Sequence, residues 1–293
     1  MTGRPRPEIE ITSELVRGLL REQAPELADR SLEMLGMGWD NTNWRLGDDL
    51  IARLPHRAVA EPLIEHEQRW LPVLAPRLNI AIPVPVVHGR ASEANDYPWV
   101  WSIVPWQSGG EAAGATLNDP AATAEQLGMF LRLLHVEADP EAPPNPFRGG
   151  PIAERRSSVI DRIAMLGDRV DADAVLAAFD TASAAPSTDE RVWLHGDLHT
   201  RNMVVDDGDL TAVIDWGDIC AGDRATDLAG AFMLVPDHLD IVRDSAGADD
   251  DAWQRARGWA IHFALIYLVA GDAAPVMNEI GERLLETLGI GVQ

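Results

Sequence analysis

The sequence contains a single cysteine, Cys220, among its 293 residues. One cysteine cannot form a disulfide within the chain, so a disulfide-stabilised fold is excluded and a reducing compartment is favoured. The chain opens without a basic segment followed by an apolar one, so we expect no signal peptide and a cytoplasmic protein. The longest apolar run, residues 259–270, is interrupted by His262 and is too short to span a bilayer, which predicts a buried helix.

Basic residues are also few. The chain has 24 Lys and Arg against 47 Asp and Glu, which gives a formal net charge of −23. A field of this sign disfavours nucleic acid and anionic membrane surfaces as partners, and it attracts cationic small molecules to an acidic cleft. A strong negative charge also keeps a protein soluble, so it does not by itself identify a ligand. The hydrophobic share of 46% is ordinary for a globular protein of one or two domains.

Two different patterns meet near residue 107. After an N-terminal helix, residues 31–106 carry five strand patterns and one long helical pattern over residues 59–78, in which Pro72 predicts a kink or a break. A five-stranded, largely antiparallel sheet with one long helix is therefore expected. A Gly/Ala-rich connection follows, and beyond it the pattern is almost wholly helical apart from one hairpin. The prediction is a bilobal α+β chain divided into residues 1–106 and 107–293.

The densest set of reactive side chains lies in residues 193–218, which read WLHGDLHTRNMVVDDGDLTAVIDWGD. The apolar runs on both sides of the Asp-Asp-Gly-Asp segment predict a β-hairpin. Asn202 and Asp215 then lie side by side at its open end, and Asp197 lies on the loop that leads in. Two neighbouring oxygen ligands beside a free carboxylate are what phosphoryl transfer from a Mg²⁺–nucleotide complex requires.

The spacing supports this interpretation, because His195, Asp197 and Asn202 reproduce the pattern H-x-D-x-x-x-x-N. In phosphoryl transfer the Asp accepts or orients the proton of an attacking hydroxyl, and the Asn amide oxygen binds Mg²⁺. Asp215 follows at a distance that leaves room for the hairpin and supplies a charged oxygen between metal and phosphates.

A zinc-dependent hydrolase built on His195, Asp197 and His199 is the remote alternative, since histidines four residues apart can share a metal on a helix. Gly196 and the adjacent strand favour a loop over a helix, and no third histidine follows nearby. His195 is therefore expected to brace the loop by hydrogen bonding.

A second group of residues, upstream, fits nucleotide binding. Gly36 and Gly38 lie between two predicted strands, where glycine lets the backbone approach a ligand closely, although such glycines usually just make turns. Glu67 lies on the apolar side of the long helix and needs a partner there, and Arg53 on the third strand is the candidate.

Together these residues resemble the aminoglycoside phosphotransferase family of kinase-like antibiotic-modifying enzymes. The resemblance is carried by His195-Gly-Asp-Leu-His-x-x-Asn202 and Val213-Ile-Asp-Trp-Gly217, with H-G-D in place of the H-R-D of protein kinases. It extends from about Ser31 to the C-terminus. It implies a bilobal protein-kinase-like fold, with a nucleotide-binding lobe followed by a catalytic and acceptor-binding lobe.

The resemblance also implies a role for each matching position. Asp197 is implied as the catalytic residue, with Mg²⁺ and ATP or GTP as cofactors. The metal ligands are implied to be Asn202 and Asp215, and the nucleotide-binding positions to be Gly36, Gly38, Arg53, Glu67, Ile103, Val104 and Trp106. Within the last three, the backbone of the strand would bind the base, although Pro105 has no N–H to offer.

One position departs from the kinase pattern: the third-strand position that carries Lys in the V-A-I-K of kinases is occupied by Arg53 here. Arginine keeps the charge and can pair bidentately with Glu67 and with phosphate, but its fork is bulkier. The chain is then either an active phosphotransferase or a nucleotide-binding relative without catalysis. Because Asp197, Asn202 and Asp215 are all present, activity is favoured.

The acceptor is left open beyond a hydroxyl-bearing small molecule of the antibiotic, amino-sugar or amino-alcohol kind. Residues 151–185 and the segment after Leu234 are the predicted acceptor wall, where Trp253 and Trp259 could stack on a ring or simply pack in the core. Six acidic residues give the second region a negative character that slightly favours a cationic acceptor: Asp237, Asp240, Asp244, Asp249, Asp250 and Asp251.

Overall fold

The computed structural model of the protein describes residues 5–271 and 274–291. The chain forms two compact units. The first, called the sheet unit, is built from Gly3–Pro76 and Ala81–Ser108, and the second, called the helical unit, from Arg77–Ile80 and Gly109–Gln293. Within the described ranges, no helix is both long enough and apolar enough to cross a membrane.

A five-stranded antiparallel sheet forms the centre of the sheet unit, with strand order β1-β2-β3-β5-β4, which confirms the predicted sheet. The strands are β1 (Leu32–Met37), β2 (Asn41–Leu46), β3 (Leu50–Pro55), β4 (Val87–Gly89) and β5 (Trp101–Pro105). The fourth strand has only three residues, Val87–Gly89. Pro83 and Pro85 lack the N–H that a ladder needs, so β4 begins only after them.

Two helices belong to this unit, α1 (Ser13–Gln23) and α2 (Glu61–Leu74). The Thr12 hydroxyl caps α1 by accepting the N–H of Leu15 at 3.2 Å, and the apolar side of α1 joins one buried cluster with the strands. The predicted break at Pro72 is not seen, because α2 continues through Pro72 to Leu74. A proline so close to the end of a helix removes only one of its hydrogen bonds, so the rest of the helix is kept.

The helical unit is built around α9, a helix of 21 residues that packs against several others and is buried over most of its length. This confirms the buried helix predicted over residues 259–270. The helices are α3 (Pro120–Leu134), α4 (Arg156–Leu166), α5 (Ala172–Ser183), α6 (Ala225–Leu228), α7 (Ala231–Leu234), α8 (Leu239–Ala246), α9 (Asp250–Ala270) and α10 (Pro275–Thr287).

Residues 225–234 form two short helices, α6 and α7, instead of one continuous helix. Gly230 lies at their junction, and a Cβ added to it would be 2.5 Å from the carbonyl oxygen of Leu198. The chain therefore turns where the loop that carries Asp197 touches it. This close approach depends on a distant part of the chain, so helical periodicity alone does not show it.

The predicted hairpin is present as β8 (Met203–Asp206) and β9 (Asp209–Val213). Its turn residues Asp207 and Gly208 have φ of +48° and +84°, the left-handed values that a two-residue hairpin turn requires. A third strand, β6 (Gly110–Glu111), comes from the predicted linker and pairs with β8. A separate ribbon pairs β7 (Val192–Leu194) with β10 (Cys220–Gly222) on either side of the hairpin in sequence. Strands of two or three residues are too short to show alternation, so these were not predicted.

Gly196 allows the chain to turn directly after β7. Its φ is +87°, and a Cβ placed on it would lie 2.4 Å from the carbonyl oxygen of Asp218. A real Cβ cannot approach a backbone oxygen so closely, and the backbone there has little room to move. Glycine in H-G-D is therefore required by the fold of the loop itself.

We expect Gly196→Ala to destabilise the protein by about 2 kcal/mol more than Gly167→Ala, because only the first variant adds a clash to the backbone strain. Gly167 is a matched control, since it also has a positive φ, +55°, but nothing lies within 4 Å of its Cβ position. Urea denaturation of the two variants measures the difference. Equal losses of unfolding free energy would show that the contact with Asp218 costs nothing.

Candidate active site

Asn202 and Asp215 lie at the open end of the β8–β9 hairpin. The Ile214 N–H donates to the Asn202 carbonyl at 2.8 Å, which extends the strand pairing one step beyond Met203 and Val213. Asp215 is the next residue and has a φ of +61°, unusual for a residue other than glycine. The two predicted metal ligands are therefore brought to the same end of the hairpin, as the sequence pattern indicated.

The side chain of Asn202 is held in one orientation. Its Nδ2 donates to the backbone carbonyl of Asp197 at 2.9 Å, and its backbone N–H donates to the carbonyl of His199 at 2.8 Å. Because the amide nitrogen is used within the loop, the amide oxygen is the atom left for a ligand. An amide oxygen next to the carboxylate of Asp215 is a donor set that suits Mg²⁺.

Asp197 presents a partly exposed carboxylate between two cationic or polar neighbours. Arg148 Nη2 donates to its Oδ1 at 3.1 Å, and His199 Nε2 lies 3.4 Å from its Oδ2. Burial raises the pKa of Asp197, but His199 and Arg148 lower it by more, so the pKa lies well below the usual range of an aspartate. Burial and the charge of Asp197 raise the pKa of the neighbouring Asp218. Asp197 is therefore ionised and can accept a hydrogen bond from a hydroxyl.

His195 braces the loop, as predicted. Its Nε2 contacts the carbonyl of Ile214 at 3.0 Å, its Nδ1 accepts the N–H of Asp197 at 3.2 Å, and its ring packs on Trp216. Both ring nitrogens are used inside the loop, so His195 has none left for a metal. Over residues 5–271 and 274–291, no three His, Cys, Asp or Glu side chains form a group that could hold a metal ion. The zinc-hydrolase alternative therefore has no support in this loop.

The start of the loop is fixed by Asp227, whose role the sequence did not show. Its Oδ2 accepts the N–H of His195 at 2.7 Å and its Oδ1 accepts the N–H of Gly196 at 2.9 Å. His135 Nε2 lies 3.3 Å from Oδ2. Asp227 is completely buried, so its carboxylate is satisfied by two backbone donors and a histidine instead of by water.

Arg148 is a further site residue that the sequence analysis missed. It comes from the Pro/Gly-rich connection after α3, where no periodicity or motif marks it. Besides its bond to Asp197, its guanidinium lies over the ring of Phe263, 5.1 Å from the centroid. Burial lowers the pKa of Arg148, but the nearby carboxylates of Asp197 and Asp218 raise it by more, so it stays charged.

In the sheet unit, Arg53 and Glu67 are brought together as predicted. Arg53 Nη1 donates to both carboxylate oxygens of Glu67, at 2.8 and 2.7 Å, and both side chains are buried. The sequence contains no lysine, so all 24 basic residues are arginines. Arginine in place of the kinase lysine is thus part of a chain-wide usage and does not by itself mark a degraded site.

The other predicted nucleotide-binding positions lie in the same sheet. Gly36 has a φ of +152° at a register shift between β1 and β2, and the Gly38 N–H donates to the Asn41 carbonyl at 2.8 Å. Gly36 lies near the end of β1, and Gly38 lies in the connection to β2.

The backbone of β5 is already used within the sheet. The Trp106 N–H donates to the Asp49 carbonyl and the Ile103 carbonyl accepts the Val86 N–H, both at 2.8 Å. Val104 pairs with Ile51 in the β3–β5 ladder. A base bound at this strand would therefore use the backbone groups of Ile103, Val104 and Trp106 that these bonds leave free.

Comparison with known structures places this chain among antibiotic phosphotransferases in fold. It is similar to the GDP complex of aminoglycoside 2'-phosphotransferase-IIIa, with a TM-score of 0.67, 19% identity, and coverage of 95% of this chain and 99% of that one. The chain is also similar to the macrolide 2'-phosphotransferase MphH from Brachybacterium faecium, with a TM-score of 0.59, 22% identity, and coverage of 92% of this chain and 97% of that one. For the streptomycin–ATP complex of APH(2'')-IIa the TM-score is 0.59 and the identity 16%, with coverage of 95% of this chain and 97% of that one. These likenesses show a kinase-like fold.

No curated protein sequence matches this chain. The characteristic sequence pattern of the phosphotransferase enzyme family matches it over residues 31–259, which includes the Arg53–Glu67 pair, the loop of Asp197 and the hairpin that carries Asn202 and Asp215. The chain therefore belongs to the phosphotransferase enzyme family.

Proposed function

We propose that this enzyme transfers the γ-phosphate of ATP or GTP to a hydroxyl group of a small-molecule acceptor. The observation that carries the proposal is the loop and hairpin of the helical unit, where Asp197 is held ionised and Asn202 and Asp215 meet at one hairpin end. Structures of similar fold contain GDP, ADP or ATP, which supports a nucleoside triphosphate as the donor. The same comparisons include aminoglycoside and macrolide enzymes, which supports a natural-product-like acceptor.

Asn202 and Asp215 would hold Mg²⁺ through the amide oxygen and the carboxylate. When bound, the ion neutralises charge on the transferring phosphates. The chain positions these two oxygens. The hydrogen bond from Asn202 Nδ2 to the Asp197 carbonyl fixes the orientation of the amide, and the positive φ of Asp215 places its carboxylate directly after the end of the strand.

Asp197 would accept a hydrogen bond from the acceptor hydroxyl and receive its proton as the oxygen attacks. A carboxylate with a lowered pKa is a weak base, so we assign it chiefly the task of orienting the hydroxyl. Arg148 and His199 hold one carboxylate oxygen each, which fixes the plane of the group that meets the acceptor.

Arg53 would bind the nucleotide phosphates while Glu67 holds its guanidinium in place. Gly36 at the end of β1 and Gly38 in the connection to β2 would let this hairpin approach those phosphates, and Ile103, Val104 and Trp106 would bind the base through backbone groups that the sheet leaves free. A nucleotide-binding protein without catalysis is the second candidate, because the buried Arg53–Glu67 pair could serve the sheet alone.

Asp197→Asn should lower the rate of phosphoryl transfer by at least ~10²-fold, because the amide lacks the charged oxygen that orients the hydroxyl and receives its proton. Nucleotide affinity should change little. Release of nucleoside diphosphate during a screen of hydroxyl acceptors measures the rate, and calorimetry measures the affinity. Asp206→Asn makes the same chemical change at an exposed position of β8 and should be fully active. An active Asp197→Asn enzyme would remove the assignment.

Asp215→Asn should raise the Mg²⁺ concentration needed for half-maximal activity by about tenfold or more, since one charged oxygen ligand is lost. A titration of activity against Mg²⁺ at fixed nucleotide measures this, again with Asp206→Asn as the control. An unchanged Mg²⁺ dependence would mean that Asp215 does not bind the ion.

Arg53→Ala should destabilise the protein by about 3 kcal/mol or more, because it leaves the Glu67 charge buried and unpaired. The double variant Arg53→Met/Glu67→Leu removes both charges and should regain most of that stability. If Arg53 binds phosphates, the double variant still binds nucleotide weakly by calorimetry. Recovery of nucleotide affinity together with stability would make the pair structural only.

A further inference from the structure

A row of aromatic side chains lies along one side of α9 and ends near the catalytic loop. Trp259, Phe263 and Tyr267 are spaced four residues apart. The ring centroids of Trp259 and Phe263 are 5.5 Å apart, and those of Phe263 and Tyr267 are 6.2 Å apart. The ring of His199, which contacts Asp197, is 6.0 Å from Tyr267. At 1.5 Å per residue this α9 aromatic row is about 12 Å long.

Two arginines lie over this row. Arg148 is placed over Phe263 at 5.1 Å and Arg155 over Trp259 at 5.7 Å. The rings beneath are buried, whereas both arginines are partly exposed. Aromatic contact holds a guanidinium flat and leaves the donors at its edges available. Two guanidinium groups therefore lie along the row: Arg148, which contacts Asp197, and Arg155 at the Trp259 end.

Several polar atoms around the row have no partner in the described part of the chain. They are Nε of Arg148, Nε of Arg155 and Nδ1 of His262, all buried. His262 as a whole is only 4% exposed. Arg155 Nη2 donates to the Pro146 carbonyl at 2.9 Å and Arg162 Nη1 donates to the Ser158 carbonyl at 3.0 Å. Among the described residues neither arginine forms an ion pair, in a chain with about twice as many acids as arginines. Buried polar atoms of native proteins normally have partners, so the three buried nitrogens are available to a bound group.

The local charge around His262 is positive although the chain is strongly acidic. Burial lowers the pKa of His262 to about 3, and the charges of Arg162, Arg148 and Arg155 lower it in the same direction. The imidazole is therefore neutral, and the cations that face it are arginines from the Pro/Gly-rich connection, the turn before α4 and α4 itself.

Two of the acids that suggested a cationic acceptor are engaged at the N-terminal end of α9. Asp249 caps α9 by accepting the Ala252 N–H at 2.7 Å, and Asp250 pairs with Arg243. Both lie at the N-terminal end of α9, and Asp250 is about 18 Å along the helix from His262. They do not offset the arginines over the aromatic row.

We infer that Arg155, Arg162 and His262 form an acceptor subsite for an anionic oxygen group, either a carboxylate or a phosphate ester, at the end of the α9 aromatic row that carries Trp259, away from the reacting hydroxyl at Asp197. Planar guanidinium groups match such oxygens in geometry and charge. A polycationic acceptor would place ammonium groups against unpaired arginines. The inference rests on the proposed function, which puts the acceptor hydroxyl at Asp197.

The subsite can be tested by binding alone, without nucleotide. A matched series of β-D-glucosides has one sugar and one aryl ring and differs in charge at the far end: 4-carboxyphenyl, 4-phosphonooxyphenyl, unsubstituted phenyl and 4-(aminomethyl)phenyl. Saturation-transfer NMR detects weak binding of each to the full chain. We expect the two anionic glucosides to bind at least about tenfold more tightly than the cationic one, as a charge-assisted hydrogen bond predicts. The two anionic members then distinguish carboxylate from phosphate recognition.

Arg155→Gln should lose about tenfold in affinity for the anionic glucosides, and Arg155→Lys should keep most of it. Arg156→Gln is the matched control, because it removes the same charge next door, where Arg156 pairs with Asp180 at an exposed position. Thermal denaturation checks that all variants are folded.

Equal or tighter binding of the cationic glucoside, no binding of either anionic one, or an equal effect of Arg155→Gln and Arg156→Gln would each overturn the inference. These results do not depend on phosphoryl transfer. A catalytically unaffected Asp197→Asn enzyme would contradict the proposed function while leaving the anion measurements unchanged, so the two failures are distinguishable.

Discussion

The helical unit depends on one buried carboxylate, that of Asp227. It takes the backbone N–H groups of His195 and Gly196, at 2.7 and 2.9 Å, at the point where the chain leaves β7. A buried carboxylate without partners costs several kcal/mol, and one bound to two backbone donors is stable only while those donors stay in place. Through Asp227, the geometry of the loop depends on the packing of α6, and the packing of α6 depends on the geometry of the loop. The position of Asp197 follows from both.

The same dependence runs outward through the loop. His195 is bonded to Ile214 on the far strand, Asn202 is bonded to Asp197, and Gly196 has no space for a side chain beside Asp218. The loop thus positions its functional groups by hydrogen bonds between its two ends and by the packing of the His195 ring on Trp216. Its least favourable backbone, the positive φ of Asp215, occurs at a proposed metal ligand, where strain is commonly kept in place by surrounding structure.

Features set by neighbouring residues could be predicted from the sequence, and features set by distant ones could not. The Asp207-Gly208 turn is local, so the hairpin and the placement of Asn202 and Asp215 at its open end were correct; the Arg53–Glu67 pair followed from a charge on an apolar helix side. Arg148 reaches Asp197 across 49 positions of the chain, and strands as short as β6 or β10 exist only because a partner strand lies beside them. Motif spacing points to Asp197, Asn202 and Asp215 as the proposed reacting groups, whereas the residues that hold and surround them become visible only in the fold.

Net charge is a poor guide to the sign of a binding surface, and this chain shows why. At physiological ionic strength, salt screens the electric field of a surface charge over a length of about 8 Å. Most of the 47 acidic residues therefore have little effect on the potential at His262. What acts there is the nearest layer, Arg148, Arg155 and Arg162. Arg155 is held over the buried ring of Trp259, which lets a cation stay charged without an acidic partner, whereas Arg148 lies over Phe263 and also pairs with Asp197. An acidic exterior and a cationic acceptor subsite are therefore compatible. The proposed arginine subsite would select an anionic group on a molecule small enough to reach it.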